Sequence, residues 1–387
     1  MNFQPDEEQE LTRRTVRDFA LKEIAPRSAE LDETQHFPRD IMKRLGEMGM
    51  LGVVFPAEYG GSALAYGDYV LIIEELARVD ASIGLSVAAH NSLCSNHIYL
   101  AGSEDQKRRF LVPLARGEKI GAWSLTEPTA GSDASGTKST AVKEGEHWIL
   151  NGSKTFATHG SVCDVAVVFA VSDRSKGKHG ISAFILEPGM KGFRPGRKEN
   201  KMGCRASDTA ELVMEECRVP DAHRLGAEGE GFIDALRVLD GGRIGIGALA
   251  VGIARGALDQ ALSYAQNRHQ FGQAIANFQA VQWMLADSAV EIDAARLLVQ
   301  RAAWLKDRGG EVGMASAMAK LYASETAVRV SNRALQIHGG YGYIKDYPIE
   351  RIYRDAKITT IGEGTSEIQR LVISRRLLDA MPDRPRD

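Results

Sequence analysis

The chain has 387 residues, 44% of them hydrophobic and 26% charged, with a formal net charge of -3. These are the proportions of a globular protein too long for one core, so roughly two or three domains are expected. No basic block or acidic tail stands out, which removes the electrostatic argument for nucleic acid or an anionic membrane and leaves small molecules and other proteins as partners.

Met1 to Glu8 lack the cationic start and apolar core of a signal peptide, and no apolar run reaches membrane-spanning length. Residues 5 to about 120 read as helices. Leu11, Val16, Ala20 and Ile24 recur at four- or five-residue steps, and Ser103 with Gln106 forms a capping-box signal. His90, Cys94 and His97 fall at i, i+4 and i+7, a spacing zinc could use, yet no fourth ligand or cysteine pair accompanies them and no metal is assigned. The four cysteines, Cys94, Cys163, Cys204 and Cys217, lack paired spacing. That suits a reducing compartment, the cytoplasm or, in a eukaryote, the mitochondrial matrix.

From about 122 to 230 the texture changes to short apolar runs closed by turn signals. Trp148-Ile149-Leu150 precedes Asn151-Gly152, Val165 to Val171 stands alone, Ile181 to Leu186 precedes Pro188-Gly189, and Leu212-Val213-Met214 comes before Pro220. An antiparallel β domain is predicted. After Gly231 helices return: Phe278, Val281, Leu285, Ala289, Ile292, Ala295, Val299, Ala302 and Leu305 repeat at steps of three or four. Met314, Met318, Leu321, Val328 and Leu335 follow, the methionines as core filler, and four or more long helices should pack as a bundle. Gly245 to Ala250 satisfies the dinucleotide pattern GxGxxA, but it lies in a small-residue helical stretch and follows no strand. It is read as close helix packing. Pro382 to Asp387 reads as a loose tail. The predicted order is α (1–121), β (122–232), α (233–387), an α+β multidomain chain.

Four segments carry chemistry. Ala122 to Asp133 puts hydroxyls, small residues and backbone amides in one non-helical stretch able to wrap a polar ligand, although such clusters are more often plain turns. Arg268-His269-Gln270-Phe271-Gly272 offers a cation and an aromatic at a helix end, and Gln336 to Gly342 offers a glycine turn preceded by an amide. Near the C-terminus Glu363 stands between Gly362 and Gly364, and Ser366 with Gln369 signals the start of a last helix. That glutamate therefore belongs to a tight turn and not to a helix face.

Together, and in this order, the segments resemble the acyl-CoA dehydrogenase family of flavoenzymes across essentially the whole chain. The resemblance implies a helical N-terminal domain, an antiparallel β-barrel middle domain and a C-terminal four-helix bundle. It implies a homotetramer, a dimer of dimers, with noncovalent FAD at each subunit interface. Trp123, Leu125, Thr126, Gly131 and Ser132 match flavin and pyrophosphate contacts, Ser132 also facing the pantetheine arm of the substrate. Phe156 and Thr158 match the strand whose threonine bonds the flavin ring, with phenylalanine where many members have tryptophan, and His159 follows where asparagine is common. Arg268, Phe271, Gln279, Gln336, Gly339 and Gly340 match positions that reach the ADP half from the neighbouring subunit; Gly364, Thr365 and Glu367 match the loop closing on it. His90, Cys94 and His97 fall where the family shapes its acyl pocket.

The implied reaction takes an acyl-CoA to the trans-2-enoyl-CoA. Glu363 matches the base for the α proton, hydride passes from the β carbon to flavin, and electrons go on to electron-transfer flavoprotein. Enolate-like charge is met by a flavin hydroxyl and the backbone N–H of the base, as in an oxyanion hole. Asp240 and Arg243 match the pair that holds the pantetheine. The family's alternative base position is Gly242 here, which leaves Glu363 alone, and no arginine for a distal carboxylate stands near Gly84. Gly362 replaces a tyrosine common in straight-chain members, so a short to medium acyl group with tolerance for branching or a ring is expected. Rival readings are an oxygen-using relative of acyl-CoA oxidase type and a catalytically silent helical scaffold.

Overall fold

The first helix, α1 (Glu7–Phe19), starts on a reciprocal cap in which the Asp6 carboxylate accepts the Gln9 N–H at 2.9 Å and the Gln9 side chain returns to the Asp6 N–H. In the computed structural model, which describes residues 5–379, α1 buries Val16 and Phe19. Leu11 is 66% exposed, so the predicted stripe begins one turn later, at Val16, and continues through the buried Ala20 and Ile24. The Ser103–Gln106 cap forms as predicted, with both of its bonds present. Two further helices, α2 (Tyr66–Val79) and α3 (Ala81–Ala89), frame the side of this domain that faces the rest of the molecule.

The middle region holds β1 (Gly121–Ser124), β2 (Thr140–Glu144), β3 (His147–Thr158), β4 (Val165–Val171), β5 (Ile181–Leu186), β6 (Phe193–Lys198), β7 (Thr209–Pro220) and the short β8 (Arg224–Leu225). β4 and β5 coincide with the predicted runs. β4 shows why those runs are unbroken: Val165, Val167 and Phe169 meet Phe110, Leu111 and Leu114 of the helical domain, while Ala166, Val168 and Ala170 turn to Trp148, Leu212 and Met214. A strand covered on both faces needs no polar side.

The predicted antiparallel barrel is corrected in two respects. The hydrogen-bonded path runs β6-β7-β3-β2-β4-β5-β8 without joining its ends among the described residues, so the sheet is open. It is also mixed, because β1 pairs with β4 in parallel, Gly121 opposite Val165, and β2 meets β4 in parallel at Thr140 and Val171. β1 enters straight from the helical domain and reaches β4 only after the β2–β3 hairpin, a crossover long enough for parallel pairing.

A buried ion pair underlies the β1–β2 connection. Lys154 Nζ lies 2.7 Å from Glu127 Oε1 and 3.3 Å from the Leu125 carbonyl. Glu127 also accepts the backbone N–H groups of Lys138 and Ser139. Burial alone would raise the Glu127 carboxyl, but Lys154 and these donors hold it down to about 2. Replacing Lys154 by methionine strands that carboxylate and is expected to cost about 3–5 kcal/mol of unfolding free energy in a denaturant titration. A cost under about 1 kcal/mol would show that the backbone donors suffice.

Helices return with α4 (Gly231–Asn267), α5 (Gln279–Asp307), α6 (Gly313–His338), α7 (Ile349–Ala356) and α8 (Ser366–Asp379). Three of them are long, at 37, 29 and 26 residues, whereas α8 has 14 described residues, shorter than expected. The GxGxxA segment lies within α4 and serves packing: a Cβ at Gly245 would strike the Tyr69 hydroxyl of α2, and one at Gly247 would lie 3.0 Å from Val299 Cγ2 of α5. On α5, Ile292, Ala295, Val299 and Ala302 are buried as predicted.

On α6 the buried face differs from the predicted one. Ala315, Ala319, Ala323, Ala327 and Ala334 are inside, while Met314, Met318, Leu321, Val328 and Leu335 are half-buried flanks. A Cβ at Gly247 would stand 3.6 Å from the Ala319 backbone, and an approach that close admits only small side chains. All four cysteines are buried and unpaired, and no described helix is long and apolar enough to cross a membrane. The segment from Pro382 to Asp387 lies outside the described residues.

Candidate active site

The turn between α7 and α8 departs from ordinary backbone geometry at two consecutive residues. Glu363 has φ 52° and Gly364 φ 92°; the left-handed region costs a glutamate about 1–2 kcal/mol, so surrounding contacts must enforce it. They are present. The N–H groups of Ile361 and Gly362 donate to the Ile358 carbonyl, and Ser324 of α6 donates to the Thr359 carbonyl. The Gly364 carbonyl accepts from Lys320 Nζ at 2.7 Å and from Gln369 Nε2 at 2.9 Å. The predicted Ser366–Gln369 capping box is replaced by another cap: Thr365 Oγ1 accepts the Ile368 N–H at 3.3 Å. Ser366 already lies inside α8, one residue too late to cap, and Gln369 reaches back to the turn instead.

One oxygen of the Glu363 carboxylate is withdrawn from water. The residue as a whole is half-buried, but Oε2 is buried and has no hydrogen-bond partner. It lies against α4 where Gly242 stands, and a Cβ at 242 would collide with Oε2 and come within 3.3 Å of Leu93. Leu93 belongs to an apolar wall with Ala89 and Val238, on which Trp123 and Leu239 pack. Burial pushes the Glu363 carboxyl up to about 7, with the cations Lys320 and Arg243 pulling the other way. A carboxylate without partners, in an apolar recess, with a pKa near neutrality is suited to taking a proton from carbon. Arg243 is buried and bonds Asp240 at 2.6 Å, one turn back on α4.

The other predicted residues fall into separate groups. Trp123 on β1 donates its indole N–H to His97 Nδ1 at 3.1 Å and meets Phe169 edge-on at 4.9 Å. Leu125 is buried and Thr126 half-buried, the latter's carbonyl accepting the Thr155 N–H. Gly131 and Ser132 are exposed on the following loop. Phe156 sits at a bulge where the β3–β7 register shifts, with φ 58° and 64% exposure, and Thr158 ends the same strand. A bulge is a means of turning one side chain outward.

Arg268, which caps the end of α4, follows Gly242 by 26 residues, roughly 39 Å of helix at about 1.5 Å per residue. With Gly339, Gly340 and Tyr341 it lines a cleft of about 460 Å³, its guanidinium 5.6 Å from the Tyr341 ring. Phe271 is 93% exposed beside it, and Gln279 and Gln336 are exposed as well. Thr365 and Glu367 line a different hollow of about 380 Å³ with Arg329 and Lys357, next to the Gly364 turn. One chain thus brings together Glu363, Gly242, Arg243 and the wall beneath Trp123, and leaves the Arg268 group far away.

Sequence reasoning missed two features. His90 accepts the Gly121 N–H at Nδ1 and donates from Nε2 to the Leu114 carbonyl, while His159 donates to the Gly121 carbonyl at 2.9 Å. Two buried histidines thereby clamp the start of β1, which leads to Trp123, and His97 is engaged by that tryptophan. Nothing in the sequence separation of 31 residues between His90 and Gly121 signals this. The other is Lys320, a lone lysine in an alanine-rich helical stretch; its isolation there was the available signal.

Comparison with known proteins decides the family. The models for the acyl-CoA dehydrogenase N-terminal, middle and C-terminal domains match residues 6–118, 122–217 and 229–378. The chain belongs to the acyl-CoA dehydrogenase family. It is 51% identical over 377 residues to the short-chain specific acyl-CoA dehydrogenase of Clostridium acetobutylicum, covering 97% of this chain and 100% of that one. The solved structure of butyryl-CoA dehydrogenase from Megasphaera elsdenii matches with a TM-score of 0.96 at 45% identity, over 98% of this chain and 100% of that one. A chain in the solved structure of the electron transferring flavoprotein of Acidaminococcus fermentans matches with a TM-score of 0.96 at 50% identity, again over 98% and 100%. The helical, sheet-rich and helical parts of this acyl-CoA dehydrogenase chain follow the order of the three family domains.

Proposed function

We propose that this member of the family oxidises an acyl-CoA thioester to the trans-2-enoyl-CoA, with Glu363 removing the α proton. The observation that carries the reading is the buried, unpartnered Glu363 Oε2 facing an apolar wall across a glycine. A thioester acidifies its α C–H only modestly, so the base must be desolvated and its proton affinity raised. Glu363 meets that need, and its own N–H is the donor offered to the thioester oxygen as charge develops there. Gly242 supplies no competing carboxylate. Asp240 and Arg243 hold the pantetheine beside the base, and Ser132 approaches it from the middle domain.

FAD fits the residues present. Ser124 Oγ is buried without a partner on β1, and Cβ atoms at Gly131, Gly339 and Gly340 would meet nothing, which leaves room for a ligand to touch the backbone. Trp123, Leu125, Thr126, Gly131, Ser132, Phe156 and Thr158 would hold the flavin side. Gly364, Thr365 and Glu367 would close on the ADP half in the same subunit, and Arg268, Phe271, Gln279, Gln336, Gly339 and Gly340 would reach it from a second one. The separation of the Arg268 group from Glu363 along α4 supports that division between subunits. When bound, FAD supplies the acceptor for the hydride leaving the β carbon.

A homotetramer is supported by an exposed apolar row on α5, Trp283, Val290, Leu297 and Trp304, each seven residues from the last. Electron-transfer flavoprotein is the proposed electron acceptor, supported by the likeness to the chain in the Acidaminococcus fermentans structure. We set the domain limits at 1–121, 122–232 and 233–387, on the change from helix to strand at Gly121 and back at Gly231. Four buried thiols support a reducing compartment, bacterial cytoplasm or mitochondrial matrix.

The substrate is a short to medium acyl group with tolerance for branching or a ring. A Cβ at Gly362 would make only ordinary contacts with Ile358, 3.5 Å or longer, so a side chain would fit there and its absence leaves space beside the base. Position 84 is closed to an arginine: a Cβ there would lie 2.9 Å from Ala77 and 3.0 Å from Leu249, which disfavours substrates with a terminal acid. Anaerobic mixing of the holoenzyme with a panel of acyl-CoA thioesters should bleach the flavin fastest for such groups; bleaching by none of them would sink the reading. Only the ionised base accepts a proton, so kcat/KM should rise with pH along a limb centred near the Glu363 value of about 7. A limb near 4.5, the ordinary carboxyl value, would mean that water reaches the carboxylate.

A further inference from the structure

Lys320 is a buried cation on α6, at 0% exposure, between the buried Ala319 and Ala323 in sequence. A buried ammonium is costly unless its donors and its charge are answered. Its Nζ donates to the Gly364 carbonyl at 2.7 Å, and the charged groups facing it are Glu363, Arg243 and Glu367. Resting on the reading of Glu363 as base, we propose that Lys320 is the positioning residue of the base turn: it holds the left-handed backbone of Glu363 and Gly364 through the Gly364 carbonyl and sets a positive charge opposite the Glu363 carboxylate.

The geometry makes the two parts of that role separable. The Gly364 carbonyl is pinned from two elements, by Lys320 of α6 and by Gln369 of α8. Ser324 still holds the Thr359 carbonyl from α6, so loss of Lys320 frees Glu363 and Gly364 to relax toward ordinary backbone angles while the start of the turn stays fixed. A displacement of about 1 Å at a reacting group lowers rates by about 10²-fold. The charge acts on ionisation. Groups facing Glu363 are Lys320 from α6, Arg243 from α4, itself paired with Asp240, and Tyr69 from α2; Glu367 of α8 faces Lys320. Burial pushes Lys320 down to about 8, so it remains charged at neutral pH. Without it, burial of Glu363 is opposed only by Arg243, the carboxyl pKa rises, and the acid limb of kcat/KM moves to higher pH.

The test compares the wild-type holoenzyme with Lys320→Met, which lacks the donor and the charge, and Lys320→Gln, which keeps a donor. Hydrogen exchange of the 358–369 segment is measured with the pH dependence of flavin bleaching. Lys320→Met should retain FAD and acyl-CoA affinity, exchange the turn at least about tenfold faster and bleach about 10²-fold more slowly, with its acid limb displaced upward. Lys320→Gln should recover most of the protection and the rate while the limb stays displaced. Unchanged exchange and an unmoved limb in Lys320→Met would overturn the proposal. So would lowered overall stability with FAD retained and an unmoved limb, the mark of a purely structural lysine. If Lys320→Met does not fold, the limb of Lys320→Gln decides alone. A wild type that no thioester bleaches would remove the dehydrogenase reading, while the exchange comparison would still decide whether Lys320 holds the turn.

Discussion

Glu363→Gln should leave the protein yellow and able to bind acyl-CoA while turnover falls by about 10³- to 10⁴-fold, the range a positioned general base contributes. Glutamine has the shape of glutamate and keeps its place in the recess between Gly242 and Leu93, but its amide cannot accept the α proton. No second carboxylate stands ready, because the facing position on α4 is a glycine whose Cβ would occupy the space of Oε2. The measurement is anaerobic stopped-flow bleaching of the flavin, with affinity titrated separately. Turnover within about tenfold of the wild type would falsify the assignment of the base.

Gly242→Ala should lower kcat by about 10²-fold and leave KM nearly unchanged. The added methyl group collides with Glu363 Oε2 and presses on Leu93 at 3.3 Å. Leu93 can shift by a few tenths of an ångström. The carboxylate, held on a turn with φ 52°, must swing out of line instead. Alanine is the better helix former by about 1 kcal/mol, so a fall in activity cannot be laid to a weakened α4. Thermal unfolding within a few degrees of the wild type, together with the rate loss, is the expected pair of results. Activity within about threefold of the wild type would show that the recess is looser than its packing indicates.

The middle and C-terminal parts show how far pattern carries. β4 and β5 were legible to the residue because burial on both faces writes a continuous apolar run bounded by turns. Their partners were not legible. Parallel pairing of β1 with β4 depends on where the chain returns after a hairpin, and period two is the same in either orientation. On α6 the large residues marked a stripe, yet alanines face inward, because α4 approaches too closely for leucine or methionine. Leu11 fitted the helical period of α1 and is nonetheless exposed, since a period fixes the angle of a residue around the helix and not which side its neighbours cover.

The site divides along the same line. Glu363 between two glycines, and the absence of a side chain at 242, can be read from one dimension, because both are statements about which atoms the chain carries. That those two positions touch, more than a hundred residues apart, is a property of α4 packing beside the α7–α8 turn. The order of helical, sheet and helical parts, the family motifs and the identity of the candidate base are all written in one dimension. It takes packing in three dimensions to strip Oε2 of every partner, to bring Lys320 to the turn and to close His90 and His159 on Gly121. Desolvation explains the difference: the proton affinity of a carboxylate is set by what surrounds it in space, and sequence neighbours such as Gly362 and Gly364 contribute almost nothing to that surrounding.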